Sequence, residues 1–433
     1  MKTKRENFGG RMAVIAAFAG SAIGLGNIWR FPYLVGQNGG AAFIIIYIAF
    51  TLVLSLPIFL AESVIGRSSQ ANCRVAIGTL IPGRAGRWFG LLMVITPLWI
   101  VSYYSVVGGW SLEYLWQSFG MRFTHFEEFT ARPWAPTLLH LLFMAVTVGI
   151  VAFGVKSGIE KFSKLSIPVL FVLIVLLAAY SVTLPGARDG VRYLLTPDFS
   201  KVTVNTFLNA LGQSFYSLSL GMGIIITYSS YVSKKENLMV SGAGTAVSDL
   251  LFAYLAGFAI LPAVFAAGIE PGSGPGLVFD TLPYIFTSMG QEAPVLSGIA
   301  SVLFFLAILI AALTSSISLI EVGVAYLTET RGVKRGWACF QLFLLCGAFG
   351  ALCSIFPRVF SFADNFASDV LLLIGGVLSV ILVGWVMPRK KFFVEFTNGG
   401  TIRRNVKLFP AVYFLIRYVA PIGILILTIS QAI

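Results

Sequence analysis

The chain has 433 residues, 57% of them hydrophobic and only 11% charged. Its mean hydropathy of +0.88 excludes an ordinary water-soluble globular domain. A net charge of +12 would suit a nucleic-acid partner if the basic residues shared one soluble face, but they collect at the ends of apolar runs, which excludes that class.

Eleven runs are long enough to span a bilayer: 11–36, 41–66, 88–118, 136–154, 165–185, 206–233, 238–268, 296–328, 336–356, 364–387 and 407–430. The polar start Met1–Arg11 leads straight into the first run with no small-residue cleavage site, so no cleavable signal is expected. The first run is interrupted at mid-depth by Gly20-Ser21-Ala22-Ile23-Gly24-Leu25-Gly26-Asn27. Three glycines and an asparagine there weaken helix and free backbone groups, which in hydrocarbon must find another partner. The second run carries Glu62, read as a buried carboxylate in a packing network. Residues 154–164 read as a polar loop leading into the fifth run.

A second interruption, Ser217-Leu218-Ser219-Leu220-Gly221-Met222-Gly223, falls in the sixth run. Asp249 lies inside the seventh, where a carboxylate is costly and points to function. The stretch 269–295, containing Pro271–Gly276, is the longest segment on its side and a candidate external lid. The eighth run holds the adjacent hydroxyls Thr314, Ser315 and Ser316, which either bond back to their own helix or face a ligand. Cys339, Cys346 and Cys353 recur every seven residues on one face of the ninth run and read as packing. His125 and His140 lie toward one side, away from any mid-membrane relay.

With the N-terminus placed inside, 22 Lys and Arg residues fall on the inner side, 6 on the outer, and Arg30 and Arg417 within spans. This bias predicts a cytoplasmic N-terminus in the plasma membrane (the inner membrane of a bacterium), and contact with anionic lipid. The spans divide into 11–185 and 206–387, five each, followed by the helix 407–430, all within one transmembrane domain over 1–433. Five is odd, so the second set enters from the opposite side. An inverted repeat is therefore expected, with its two broken helices meeting at mid-membrane. The freed carbonyls, Asn27, the Ser217 and Ser219 hydroxyls and the eighth-span hydroxyls are the hard oxygen donors that sodium prefers. Half-helix N-termini favour a substrate carboxylate.

The run Gly24-Leu25-Gly26-Asn27-Ile28-Trp29-Arg30-Phe31-Pro32-Tyr33 followed by Asn38-Gly39-Gly40 resembles the signature of the neurotransmitter:sodium symporter family. Phe215–Gly223 and Leu313–Ser318 are similar to its sixth and eighth helices. The resemblance runs from about Arg5 to the end and is nearest to bacterial eleven-span members. It implies an all-α polytopic membrane protein with the LeuT fold, a 5+5 inverted repeat with broken helices 1 and 6, and sodium-driven uptake.

The resemblance further implies two sodium sites. One would use Gly20, Ile23, Ala311, Thr314 and Ser315; the other Ala22, Asn27, Ser217, Asp249 and the substrate carboxylate. Asp249 stands where the family often has Asn, and Ser217 where it often has Thr. The substrate pocket would be formed by Ala22, Leu25, Gly26, Ile100, Tyr104, Tyr216, Ser217, Ser219, Met222, Ser315 and Leu319. Gly24 stands where amine-transporting relatives carry Asp, which favours an α-amino acid. Ile100, Met222 and Leu319 favour a hydrophobic one. Arg30 and Asp364 would form the outer gate with Phe31 beside the pocket roof, and Arg5 and Glu329 the inner gate with Tyr231 nearby. Phe8 replaces an aromatic residue that is usually Trp, which would weaken inward closure. Gly158 and Pro168 have the spacing of a motif in bacterial members, so the start of the fifth span is expected to unwind when sodium leaves.

The expected function is a chloride-independent sodium symporter of hydrophobic L-amino acids. Transport of an amine or amino-acid-like osmolyte is the alternative within the class; a substrate-binding membrane sensor or channel is the alternative outside it. No nucleophile–base pair or metal cluster suggests an enzyme.

Overall fold

The computed structural model describes residues 6–132, 134–269, 276–291 and 293–432. Among the described residues regular structure is helical, apart from one isolated bridge between Gly40 and Pro197. Nine helices among the described residues are long and apolar enough to cross a membrane, and a bent pair makes a tenth. In chain order the bent pair, Arg11–Ala22 with Gly26–Gln37, is the first span, and its halves meet at 61°. Next come the second (Ala41–Ser69), third (Arg84–Gly120), fourth (Ala135–Ala152) and fifth (Val155–Val182). The seventh (Leu238–Ala266), eighth (Pro294–Arg331), ninth (Arg335–Ile355), tenth (Pro357–Val386) and eleventh (Arg403–Ser430) complete the set. Between the fifth and seventh lie the helices Val204–Ser217 and Ile224–Ser229, each too short to cross alone. They are the two halves of the expected sixth span.

The sixth-span break is held in backbone conformations that a helix cannot use. Ser219, Gly221 and Gly223 have φ of 55°, 76° and 72°, which a side chain tolerates poorly. At Gly221 a Cβ would also lie 2.2 Å from the Leu372 carbonyl oxygen, so glycine alone lets the tenth span approach this closely. Glu62 stabilises the break: its Oε1 accepts from the Gly221 N–H at 2.8 Å and from Ser379 Oγ at 3.2 Å. The carboxylate read as a network residue thus caps a broken helix, satisfying a donor that hydrocarbon could not.

The third and eighth spans, 37 and 38 residues long, pack along each other as a central pillar. The first span packs on the seventh, and the second on Ile224–Ser229, the later half of the sixth. At the end that carries the N-terminus, the helix Arg389–Thr397 is latched to the bundle. Arg67, only 1% exposed, pairs with Glu395 at 3.0 Å and bonds the Glu236 carbonyl oxygen at 2.6 Å.

Residues 154–164 are not the polar loop that their composition suggests. The fifth span begins at Val155. Gly154, with φ of 98°, turns the chain, and Glu6 accepts from the N–H groups of Val155 and Lys156 at 2.7 and 3.1 Å. A carboxylate 149 residues away thus supplies the N-terminal cap that local sequence lacks. The Gly158–Pro168 segment is wound in this arrangement. Pro271–Gly276 of the candidate lid extends into the undescribed residues 270–275. The following residues 277–289 are helical and anchored by Phe279, which is fully buried against Trp110 and Tyr114.

Candidate functional site

The two breaks meet. The first half-helix ends at Ala22, presenting carbonyls, and the second begins at Gly26, presenting amides, so one interruption offers both polarities. Asn27, fully buried, braces the turn: its Oδ1 accepts from the Gly24 N–H at 3.1 Å. Its Nδ2 donates to Asp249 Oδ1 at 2.8 Å and to Ser217 Oγ at 3.2 Å. Gln213 Nε2 bonds the Gly26 carbonyl oxygen at 3.2 Å, tying the sixth span to the first break.

Around the breaks lies a 40 Å³ cavity lined by all eleven residues expected to form the pocket, together with Ser21, Gly24, Asn27, Ile224 and Ser318. A Cβ at Gly24 would lie 2.8 Å from Ser315 Oγ and 3.3 Å from Tyr104 OH, so any larger side chain there would intrude on the cavity wall. The Leu25 N–H points to Tyr104 OH at 3.4 Å. Ser21 and Ser318 were missed by motif reasoning. Ser219 Oγ donates to the Ser21 carbonyl oxygen at 2.9 Å, and Ser318 Oγ to Ser21 Oγ at 3.1 Å, so these hydroxyls join the first, sixth and eighth spans. The signal for Ser318 was its place one helical turn beyond Thr314, on the same face.

The residues expected to form one sodium site also converge. Thr314 Oγ1 donates to the Ala311 carbonyl oxygen at 3.0 Å, and Ser315 Oγ lies 3.4 Å from the carbonyl oxygens of Ile23 and Ser21. A Cβ at Gly20 would lie 3.5 Å from Thr314 Cβ. Thr314 therefore bonds back to its own helix here, whereas Ser315 reaches across to the first break.

Asp249 is fully buried. Its carboxylate accepts from Asn27 Nδ2 at 2.8 Å, from Ser217 Oγ at 2.8 Å to each oxygen, and from Tyr47 OH at 3.1 Å. These donors are all neutral. Among the described residues no cationic side chain pairs with it within 4.0 Å. A mid-membrane carboxylate held this way has only neutral donors around it, and a hard cation is the partner that would balance its ionised form.

Above the pocket opens a 430 Å³ cavity lined by Arg30, Tyr103, Phe215, Asp364 and Asp369, among others. Tyr104 and Tyr216 line both cavities and form the partition between them. Arg30 and Asp364 face this outer cavity without an ion pair within 4.0 Å, and the Arg30 guanidinium lies 5.3 Å from the centre of the Tyr216 ring. Phe31 is not beside the roof. It is buried against Phe43 and Tyr47, because the helix restarting at Gly26 turns that side chain toward the second span; Tyr216 takes the roof position.

The opposite side is sealed more thickly. Phe8 packs edge-on against Tyr228 and Tyr231, with ring centres 5.7 and 6.0 Å apart. Arg5 lies outside the described residues. Glu329 accepts from the backbone N–H and Nδ2 of Asn72 at 2.9 and 3.0 Å. Tyr231 OH donates to Glu321 at 2.7 Å, and Arg335 meets the same carboxylate at 3.2 and 2.5 Å. Glu321 and Arg335 were not anticipated, although a carboxylate inside the eighth apolar run was the same signal that singled out Asp249.

Residues 5–135 and 133–433 match the model of the sodium:neurotransmitter symporter family. The crystal structure of MhsT in complex with L-phenylalanine is similar to this chain at 38% identity, with a TM-score of 0.87 over 99% of this chain and 100% of that one. An uncharacterized sodium-dependent transporter, YhdH, from Bacillus subtilis (strain 168) is 34% identical over 99% of this chain and 98% of its own. The sodium-dependent serotonin transporter of Drosophila melanogaster is 27% identical over 81% of this chain and 64% of its own.

Replacing Tyr231 by Phe removes the hydroxyl that joins the sixth span to Glu321, at a cost of about 1.5–3 kcal/mol for a hydrogen bond to a charged group. Hydrogen exchange of amides 8–18 should speed up about tenfold or more while the third span is unaffected. Unchanged exchange would show that the contact does not hold this end closed.

Proposed function

The chain belongs to the sodium:neurotransmitter symporter family and is a multi-pass, sodium-dependent transporter of the LeuT fold, and we propose that it takes up hydrophobic L-amino acids by alternating access without chloride. The observation that carries this reading is a buried Asp249 without a cationic partner, bonded to Asn27 and Ser217 in the wall of a cavity whose other side is the apolar Ile100, Met222 and Leu319. A sodium ion between Asp249, Asn27, Ser217 and the Ala22 carbonyl would neutralise the carboxylate and attract a substrate carboxylate, which the amides at Gly26 and the Tyr104 hydroxyl would orient. A second sodium would sit among Gly20, Ile23, Ala311, Thr314 and Ser315, bracing the first span against the eighth. L-phenylalanine in the complex of the similar MhsT supports a hydrophobic substrate.

In the proposed cycle the repeats 11–185 and 206–387 form an inverted pair within one domain. The bundle of spans 1, 2, 6 and 7 rocks against the others, with the N-terminus in the cytoplasm of a cell whose plasma membrane holds the protein. Arg30 and Asp364 would close over Tyr104 and Tyr216 once substrate is bound. Opening on the other side would release Tyr231 from Glu321 and loosen the fifth span near Gly158.

Uptake into proteoliposomes driven by a sodium gradient, with competing amino acids, tests the substrate class. Leucine, methionine, phenylalanine and tryptophan should compete strongly; glutamate or lysine ranking above them would overturn it. A channel would instead pass ohmic sodium current without substrate.

Thr314→Ala and Ser315→Ala should each raise the sodium concentration needed for half-maximal substrate binding severalfold, because a buried cation loses an oxygen ligand. Sodium titrations unchanged in both variants would mean that these hydroxyls serve only their own helices and neighbouring carbonyls.

Replacing chloride by gluconate should leave transport intact. Like charges about 4 Å apart repel by roughly 4 kcal/mol at an effective dielectric constant of about 20, so Asp249 disfavours an anion beside it. Asp249→Asn should weaken transport and make what remains chloride-stimulated. Collapse of native activity without chloride would refute this role.

A further inference from the structure

At the end of the bundle that carries the N-terminus, well away from the central cavity, four arginines from three elements surround one 300 Å³ cavity. Arg74 comes from the linker helix Cys73–Leu80, Arg84 and Arg87 from the first turn of the third span, and Arg331 from the last residue of the eighth. Trp88, Leu91 and Tyr326 complete the lining. Arg74 and Arg331 bracket Tyr326: one guanidinium lies 6.0 Å from the ring centre, and Arg331 Nε donates to the phenol oxygen at 3.3 Å. Arg87 Nε bonds the Gly83 carbonyl oxygen at 3.3 Å.

Among the described residues none of the four arginines has a carboxylate within 4.0 Å. Glu329, the acid nearest in sequence to Arg331, is turned to Asn72. Four like charges sharing a cavity repel one another unless an anion lies between them, and guanidinium forks match phosphate oxygens in pairs. The wall of the cavity is amphipathic. Trp88 is 70% exposed and the adjacent Phe89 is 40% exposed, at the mouth of the third span, where aromatic rings mark the level of lipid headgroups.

We propose that this cavity is a binding site for the phosphate headgroup of an anionic phospholipid, whose chains run along the third span past Trp88 and Leu91. The arginines supply phosphate recognition from three directions, and the Trp88 side gives access from the bilayer. The site also has a mechanical consequence. Cys73, at the start of the linker helix, bonds the Gly223 carbonyl oxygen at 3.0 Å and contacts Thr227 Oγ1 at 3.1 Å, in the inner half of the broken sixth span. A headgroup holding Arg74 to Arg84, Arg87 and Arg331 therefore ties that half-helix, through the linker, to the third and eighth spans, and favours the arrangement closed at this end.

Native mass spectrometry of the full chain with phosphatidylglycerol, phosphatidylcholine or inorganic phosphate tests the site. Each arginine near an anionic lipid strengthens association about fivefold. The double variant Arg84→Gln/Arg87→Gln should therefore retain phosphatidylglycerol about 25-fold less well than the native chain. The control Arg188→Gln/Arg192→Gln, exposed in a helix between the fifth and sixth spans, should match the native chain, and phosphatidylcholine should bind weakly to all three. Displacement of phosphatidylglycerol by millimolar inorganic phosphate would support recognition through the phosphate itself. Phosphatidylglycerol held equally by the double variant and the control would overturn the site. Phosphate binding without lipid binding would overturn the lipid as its occupant.

Discussion

In hydrocarbon each unpaired backbone group costs several kcal/mol, so a helix breaks in mid-membrane only where its freed groups find partners. The rest of this protein depends on two such breaks, at residues 23–25 and 218–223. The first is satisfied by Asn27 beside it and by Gln213 and Ser315 from other spans, and the second by Glu62 from the second span. The same requirement gathers the chemistry. Groups that cannot be left unpaired are held beside one cavity, and carbonyl and amide ends of half-helices face each other there, so the proposed cation and substrate carboxylate would meet backbone that a continuous helix would have consumed.

Charge follows the same logic. Asp249 is surrounded by an amide and two hydroxyls, which hold a carboxylate in place without neutralising it. Other acids are held differently: Glu321 is met by Arg335 and Glu395 by Arg67, whereas Glu62 accepts from the Gly221 N–H of the sixth-span break. The contrast separates carboxylates held in an ion pair or at a backbone N–H from Asp249, whose donors are all side chains. It also underlies the asymmetry of the two sides, where two tyrosines divide the pocket from the outer cavity and an aromatic cluster with a buried ion pair seals the other end.

The sequence by itself determined the class of fold and the central cavity. Apolar runs of bilayer length fix where helices cross, and glycine-rich interruptions fix where they break, because both depend on local composition. Motifs on the first, sixth and eighth spans carried most of the pocket residues for the same reason, since each motif is contiguous; Ile100 and Tyr104 come from the third span. What only the tertiary structure decided are the contacts between distant segments. Glu6 capping the fifth span, Glu62 capping the sixth-span break and Tyr231 reaching Glu321 join residues 149, 159 and 90 positions apart, and no local pattern encodes such pairs. Phe31 was misplaced because the direction of a side chain after a break depends on the 61° bend, which sequence does not specify. Composition could name the polar atoms buried in the membrane; only packing could say which of them satisfy one another and which are left facing the cavity.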